Sequence, residues 1–151
     1  MTSKINVKDI QKLRDLTGAG VMDAKQALSE TKGDLEEAVE WIKQKGLVKI
    51  AKREGRETGA GLIESYTHNE RIGVILDVRA ETDFVVRSQP FRDMAHEVAM
   101  QIAAMNPENA EELLKQPYIK DESKTINDLL NDVRNRVGEN IKINKFYRLE
   151  I

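Results

Sequence analysis

The chain has 151 residues and a mass of 17.2 kDa, enough for one domain or for a small helical module and a compact second unit, which excludes large barrels and two-lobed enzymes. Its 24 basic and 26 acidic residues give a net charge of −2, so overall charge does not favour nucleic acid or anionic lipid as partners. Cysteine is absent and the histidines are His68 and His96 alone, which excludes disulfides, thiolate chemistry and a metal site rich in cysteine or histidine.

The apolar runs are far shorter than a membrane span, and the first six residues show neither a signal peptide nor an arginine-rich presequence. We therefore expect a cytoplasmic protein that does not contact membranes.

Three short helices are predicted in residues 1–46, where apolar side chains recur every three or four positions between glycine-containing turns. Asn6 is a suitable N-cap for a first helix that ends near Thr17. A second helix is predicted over residues 21–31, and a third over residues 35–46, where Gly46 is expected to stop it. A bundle this small is marginal alone, and such units usually dock onto other proteins.

Residues 47–57 are predicted to form a basic connector, partly helical, between the bundle and the rest of the chain. Six basic residues and one acid, Glu54, occur between positions 43 and 56: Lys43, Lys45, Lys49, Lys52, Arg53 and Arg56. We favour a solvated linker over an RNA-binding arm, because the segment has no aromatic residue on which a base could stack.

Residues 58–151 predict an α+β domain, with a small three-stranded antiparallel sheet that carries helices on one face. Alternating apolar residues predict a hairpin of strands 62–67 and 72–80, joined by the polar turn 68–71. Two helices follow, from about Pro90 to Met105 and over residues 126–137. In the last strand, one face is predicted to hold Ile141, Ile143, Tyr147, Leu149 and Ile151, with Phe146 as an exception.

The motifs that would indicate an enzyme are absent from the sequence. It has no GxxxxGK[ST] phosphate loop, no GxSxG and no HExxH. The glycines of residues 18–20 fall between helices, where they serve a turn and not a dinucleotide site. His96 is interpreted as a surface or packing residue of its helix, because no carboxylate is tied to it by sequence spacing. We expect no enzymatic chemistry, no cofactor and no metal.

The segment Glu81–Val86 follows directly after a predicted strand, and it admits two interpretations. Asp83 or Ser88 could cap the next helix while Phe84 packs beneath it. Alternatively, Phe84 could be an aromatic anchor offered to a partner, since exposed aromatic residues on rigid loops often dominate interfaces. Composition alone leaves both open.

Three motifs, taken together, resemble the elongation factor Ts family. They are LRDLTGAGVMDAKQAL at residues 13–28, ETDFV at 81–85 and VGENI at 137–141, and the resemblance runs from Ile5 to Ile151. It implies a guanine nucleotide exchange factor for elongation factor Tu, which acts by protein binding and needs no cofactor. It also implies an N-terminal bundle similar to ubiquitin-associated domains, followed by an α+β core.

The resemblance also implies which residues bind the partner. In the bundle, the positions that match the family's docking surface are Arg14, Val21, Met22 and Lys25. In the core, the TDFV motif is represented by Thr82, Asp83, Phe84 and Val85, and Phe84 matches the family's wedge between partner helices near the nucleotide-bound magnesium. A third surface would include Tyr66, His68 and Arg71, which could equally be a polar hairpin tip. Without the resemblance, Val21 would be assigned to the bundle core, and Arg14 and Lys25 to a solvated face.

The chain departs from the family pattern after Met105, where only Glu108–Lys115 leads to the next matching segment. Family members usually have a longer helical segment there, and longer members have a second core lobe. The resemblance to compact members implies a homodimer through the core, since a small sheet with one open face leaves apolar area uncovered.

Two other functions fit the sequence less well. The chain could be an adaptor without exchange activity, in which the bundle docks and the core merely dimerises; Phe84 would then be dispensable. Binding of RNA through the basic connector would be strongly salt-dependent, and the near-neutral net charge argues against it.

Overall fold

A computed structural model describes residues 5–151, which form two compact units that divide between Lys52 and Arg53. Residues 1–4, on which the expected absence of a leader partly rests, lie outside the described residues. The first unit contains α1 (Val7–Thr17), α2 (Val21–Glu30) and most of α3 (Leu35–Arg53). The second contains β1 (Ala60–His68), β2 (Ile72–Ala80), α4 (Asp83–Val86), α5 (Gln89–Met105), α6 (Ala110–Lys115), β3 (Pro117–Tyr118), β4 (Asp121–Thr125), α7 (Ile126–Val137) and β5 (Ile141–Glu150).

The helices of the first unit begin and end as their sequence predicts, apart from the end of α3. The Asn6 side chain accepts a hydrogen bond from the Lys8 N–H at 3.0 Å, and Gly18 ends α1 in the left-handed conformation. The buried core consists of Leu13, Ala24, Ala27, Leu28 and Ala38. Because three of these five side chains are alanines, the helices can approach closely.

Gly46 does not stop α3, contrary to the prediction, and the helix continues to Arg53. Glycine costs about 1 kcal/mol in a helix interior, which favourable contacts nearby can offset. Two lysines on either side of Gly46 supply such contacts, since Lys45 and Lys49 each form a 3.0 Å ion pair with Asp23 of α2. These hydrogen bonds hold the pKa of Asp23 below its usual value. The segment predicted as a partly helical connector is thus helical as far as Arg53.

The fold of the second unit is the predicted α+β arrangement. Its three-stranded antiparallel sheet has the order β1-β2-β5, and Asn69 and Glu70 form the tight turn of the β1-β2 hairpin with positive φ angles. Helices cover one sheet face, where α5 packs against β1 and β2. The largest fully buried side chains of this core are Phe91, Leu76, Met94, Ile102, Leu113, Ile126, Leu130 and Ile141.

The single apolar face predicted for the last strand is wrong beyond Ile143. The register with β2 shifts between Asp77 and Val78, whose partners on β5 are Lys145 and Ile143. Asn144 is therefore an extra residue in a β-bulge, and residues after it change face. As a result Phe146 packs against the core, whereas the exposed apolar residues are Tyr147, Leu149 and Ile151.

A small second sheet of β3 and β4, which the sequence did not predict, connects α6 to α7. The buried Gln101 of α5 holds it, donating to the Pro117 carbonyl and accepting from the Ile119 N–H, both at 3.0 Å. Glu97 of α5 accepts hydrogen bonds from the Tyr118 hydroxyl at 2.6 Å and from Lys120 at 2.7 Å. Burial raises the pKa of Tyr118, and its bond to Glu97 raises it further.

Candidate partner-binding site

Phe84 lies on the short helix α4 and is 85% exposed, the largest exposure among the large apolar side chains of the described residues. Thr82 caps this helix, since its hydroxyl oxygen accepts a hydrogen bond from the Val85 N–H at 3.4 Å. Asp83 is exposed beside Phe84. The exposure of Phe84 distinguishes the two interpretations of this segment, because Phe84 does not pack beneath a helix. Thr82 and not Asp83 is the N-cap of α4, whereas Ser88 is the N-cap residue of α5, as one interpretation expected, although its side chain makes no capping hydrogen bond.

The residues that follow Phe84 anchor α4 to the core. Val85 is 4% exposed and Val86 is also buried, and both belong to the core cluster. The Ser88 hydroxyl donates to the Val85 carbonyl at 2.6 Å and so closes the turn into α5. The buried side chain of Val85 cannot face a partner, so any contribution of Val85 to binding is indirect, through the placement of Phe84.

The structure brings two of the three sequence motifs, ETDFV and VGENI, into contact just before Phe84. The Glu139 carboxylate accepts hydrogen bonds from both the N–H and the hydroxyl of Thr82, at 3.0 and 2.8 Å. One residue on, the Asn140 N–H donates to the Glu81 carboxylate at 2.7 Å. Sequence reasoning did not assign Glu139 or Asn140 to the site, although both lie in the VGENI motif that carried the resemblance.

Asn140 also connects these two motifs to the segment at the start of the second unit. Its side chain is buried and donates to the carbonyl oxygens of Glu54 and Arg56, at 3.2 and 3.0 Å. The Arg56 guanidinium lies 3.7 Å from the Glu81 carboxylate. A single network of hydrogen bonds and an ion pair therefore connects residues 54–56, the segment between β2 and α4, and the start of β5.

The first unit presents the other predicted residues around the α1-α2 turn. Met22 is 73% exposed, and Val21 and Lys25 are also exposed. Arg14 is half-buried and donates from Nε to the Ala19 carbonyl at 3.2 Å, which braces the turn that displays Val21 and Met22. Exposure of Val21 argues against its assignment to the bundle core.

The β1-β2 hairpin gathers both histidines around Tyr66. The Tyr66 hydroxyl lies 3.0 Å from His68 Nδ1, and the His96 ring meets the Tyr66 ring edge-on at 5.8 Å between centroids. His96 Nδ1 lies 3.3 Å from the Glu64 carboxylate, a neighbour that sequence spacing could not reveal. Arg71, at the end of the turn, is exposed. The polar surface at the hairpin tip is thus formed by His68 and Arg71, while Tyr66 is half-buried against the core and contributes its hydroxyl.

Within residues 5–151, no three histidine, cysteine, aspartate or glutamate side chains are grouped as a metal site would require. None of the helices in the same range is both long enough and apolar enough to span a membrane.

The model of the family described as Elongation factor TS matches residues 2–112 and 81–151, two overlapping stretches that together cover almost the whole sequence. The chain belongs to the elongation factor Ts family. It is therefore a member of a family of translation elongation factors.

Curated relatives agree with the family model over nearly full length. The chain is 40% identical to elongation factor Ts of Nitratidesulfovibrio vulgaris, over 97% of this chain and 96% of the relative. It is 39% identical to that of Solidesulfovibrio magneticus, over 99% and 98%, and 35% identical to that of Alkaliphilus oremlandii, over 97% and 89%.

These alignments also show that this chain is internally shortened. Because 97% of 151 residues is about 146, the 193 positions aligned with the Nitratidesulfovibrio vulgaris protein include more than 40 at which this chain has no residue. The shortening agrees with the brief connection predicted after Met105.

Proposed function

We propose that this chain promotes release of GDP from elongation factor Tu by inserting Phe84 between helices of the partner, near the nucleotide-bound magnesium. The observation that carries the proposal is the display of Phe84: a large apolar ring, 85% exposed, on a helix whose next two residues are buried. An aromatic side chain held rigidly in water gains most of its burial energy only when a partner covers it.

The exchange needs no reactive group on this chain. Displacing the partner's helices weakens coordination of the magnesium and the contacts to the nucleotide phosphates. If binding of the exchange factor weakens GDP binding by some factor, GDP weakens binding of the exchange factor by the same factor. Incoming nucleotide therefore releases the factor, and the complex is a transient intermediate.

The helical bundle supplies the second contact, on the GTP-binding domain of elongation factor Tu. Val21 and Met22 offer exposed apolar surface at the start of α2. Lys25 follows them on α2, and Arg14 lies in the last turn of α1. Thr82 and Asp83 flank the wedge, while Tyr66, His68 and Arg71 form a lesser contact at the hairpin tip. This activity belongs in the cytoplasm, where translation takes place, and it requires no direct contact with nucleic acid.

The core also forms a homodimer through the uncovered face of its sheet. The bulge at Asn144 turns Tyr147 and Leu149 to this face, where Tyr147 pairs with Ile75 and Leu149 with Gly73. Tyr147 is 67% and Leu149 72% exposed, and Ile63 and Ile75 are exposed as well. Two copies related by a two-fold axis would cover these residues with one another. Sedimentation equilibrium at micromolar concentration should give twice the mass of one chain; a monomer mass would count against the dimer.

Stopped-flow release of a fluorescent GDP from elongation factor Tu tests the exchange activity. The wild-type chain should accelerate release, and Phe84→Ala should slow the stimulated rate about 30-fold, which corresponds to about 2 kcal/mol for a central aromatic anchor. Met105→Ala is the matched control, because it truncates another exposed apolar side chain of the second unit. Equal stimulation by the wild type and Phe84→Ala would refute the wedge.

An adaptor without exchange activity is the second candidate. It is favoured by the exposed turn of the bundle, which could dock onto a protein surface without any action of the core. In that case the wild-type chain would bind its partner and leave the rate of GDP release unchanged.

A further inference from the structure

Helix α4 has four residues, Asp83–Val86, and a helix of one turn has no stability of its own. Burial of Val85 and Val86 fixes its C-terminal half against the core. The N-terminal half, which carries Phe84, is fixed instead by polar contacts. The orientation of the Phe84 ring therefore depends on what holds Thr82 and Asp83.

Thr82 is held by one side chain that is distant from it in the sequence. Both carboxylate oxygens of Glu139 accept from Thr82, one from its N–H and one from its hydroxyl. Because the hydroxyl proton is directed to Glu139, the hydroxyl oxygen is free to accept from the Val85 N–H. The carboxylate, the hydroxyl and the first turn of α4 form a continuous hydrogen-bonded chain.

Glu139 is itself on a rigid segment. Gly138 ends α7 in the left-handed conformation, and the Arg134 guanidinium of α7 donates to the Ile141 carbonyl at 2.7 Å. The Asn140 side chain and N–H make three further hydrogen bonds on the other side of Glu139. Because the residues on both sides of Glu139 are held in place, Glu139 can determine where Thr82 lies.

We propose that Glu139 is a positioning residue for nucleotide exchange, which acts through Thr82 to set the direction in which Phe84 enters the partner. This inference rests on the proposed exchange function. Thr82 is exposed, so its bonds to Glu139 contribute little to the buried core of the unit. Their removal leaves Val85 and Val86 in place and frees the turn that carries Phe84. A displacement of an ångström at a reacting site can reduce rates up to a hundredfold.

Four variants test the positioning role in the GDP-release assay. We expect Glu139→Ala and Thr82→Val to lower the maximal stimulated rate about tenfold, with the half-saturating concentration of the factor changed less than twofold. Thr82→Ser keeps the hydroxyl and should retain most of the rate. Glu139→Gln keeps one acceptor oxygen and should fall between the wild type and Glu139→Ala.

The control is Asp128→Ala, at a second helix start in the same unit. There the Asp128 carboxylate accepts from the Thr125 N–H at 3.0 Å, the same kind of bond that Glu139 makes to Thr82, but in a capping box at the start of α7. Asp128→Ala should lower the melting temperature without lowering the maximal rate. If Asp128→Ala and Glu139→Ala reduce the rate equally, the effect is one of general stability and the positioning role is wrong.

A double variant separates failure of this inference from failure of the exchange function. In a Phe84→Ala background, Glu139→Ala should produce no further loss of rate, because the side chain that it positions is gone. The inference would be overturned if the two substitutions reduced the stimulated rate of GDP release independently, so that their effects multiply in the double variant. It would also be overturned if Phe84→Ala were slow and Glu139→Ala were fully active. If the wild-type chain itself does not stimulate GDP release, the exchange function fails, and the inference fails with it.

Discussion

Replacing Gly61 by alanine tests the close packing of β1 against β2. An added Cβ at Gly61 would lie 2.6 Å from Arg79 Cδ and 2.7 Å from the Val78 carbonyl oxygen. Arg79 is the register partner of Gly61 on β2, and its guanidinium forms a bidentate ion pair with Asp77, at 2.6 and 3.0 Å. The arginine side chain can move, but the carbonyl oxygen belongs to the strand backbone.

The magnitude follows from these two contacts. Ordinary contact would require the strands to separate by about 0.7 Å at Gly61, given the 2.7 Å approach, and overpacking of this kind costs about 1–3 kcal/mol. Alanine recovers about 0.5–1 kcal/mol of the entropy that glycine loses in a strand. With the middle of each range, the net loss should be about 1 kcal/mol, which lowers the melting temperature of a unit of this size by roughly 4–8 °C.

Urea denaturation at one fixed protein concentration measures this loss. Gly73→Ala is the matched control, because Gly73 lies in β2 of the same sheet and an added Cβ there meets nothing within 4 Å. It should leave the free energy of unfolding unchanged or raise it by up to about 1 kcal/mol. If Gly61→Ala is as stable as the wild type, or if both variants lose equally, the close approach at Gly61 is not real.

Two further predictions concern the uncovered sheet face. Hydrogen bonds from Arg79 hold the pKa of Asp77 below its ordinary 3.8. The Asp77 carboxylate therefore stabilises the fold above pH 3.8, and this contribution is lost as the pH falls through the lower pKa of the folded state. The free energy of unfolding of Asp77→Asn should depend less on pH between 7 and 3 than that of the wild type. Leu149→Glu should place a charge in the proposed dimer interface and give a monomer mass by sedimentation, whereas Glu150→Gln should not; a dimeric Leu149→Glu would contradict this interface.

The sequence predicts the second unit well where the apolar pattern is regular. In β2, the alternation of Val74, Leu76 and Val78 identifies the buried face, and these side chains are in the core. In β5, the same rule fails because a bulge adds one residue, and a hydrophobic pattern carries no sign of a register shift. The prediction that Gly46 ends α3 fails for a related reason: helix propensity is local, whereas the ion pairs of Asp23 with α3 are not.

The candidate site could be predicted only in part. The resemblance identified Phe84, but it could not say that Val85, its neighbour, is buried. The hydrogen bonds that Thr82 donates to Glu139 join residues 57 positions apart, and the two side chains form no recognisable pattern in the sequence. Contacts of this kind follow from the fold, because the end of β2 and the start of β5 are adjacent only in the finished sheet.

The short connection between α5 and α7 has a consequence for how fast the chain folds. Pairing of β2 with β5 requires Leu76 to meet Phe146, and more than 40 positions of the Nitratidesulfovibrio vulgaris relative have no counterpart in this chain. If they fall within this connection, closing the loop costs about 0.5 kcal/mol less conformational entropy. Lower contact order speeds the search for non-local strand pairs. With the missing positions in this connection, which Gln101 holds on α5, the chain should therefore assemble its sheet sooner than a full-length relative does.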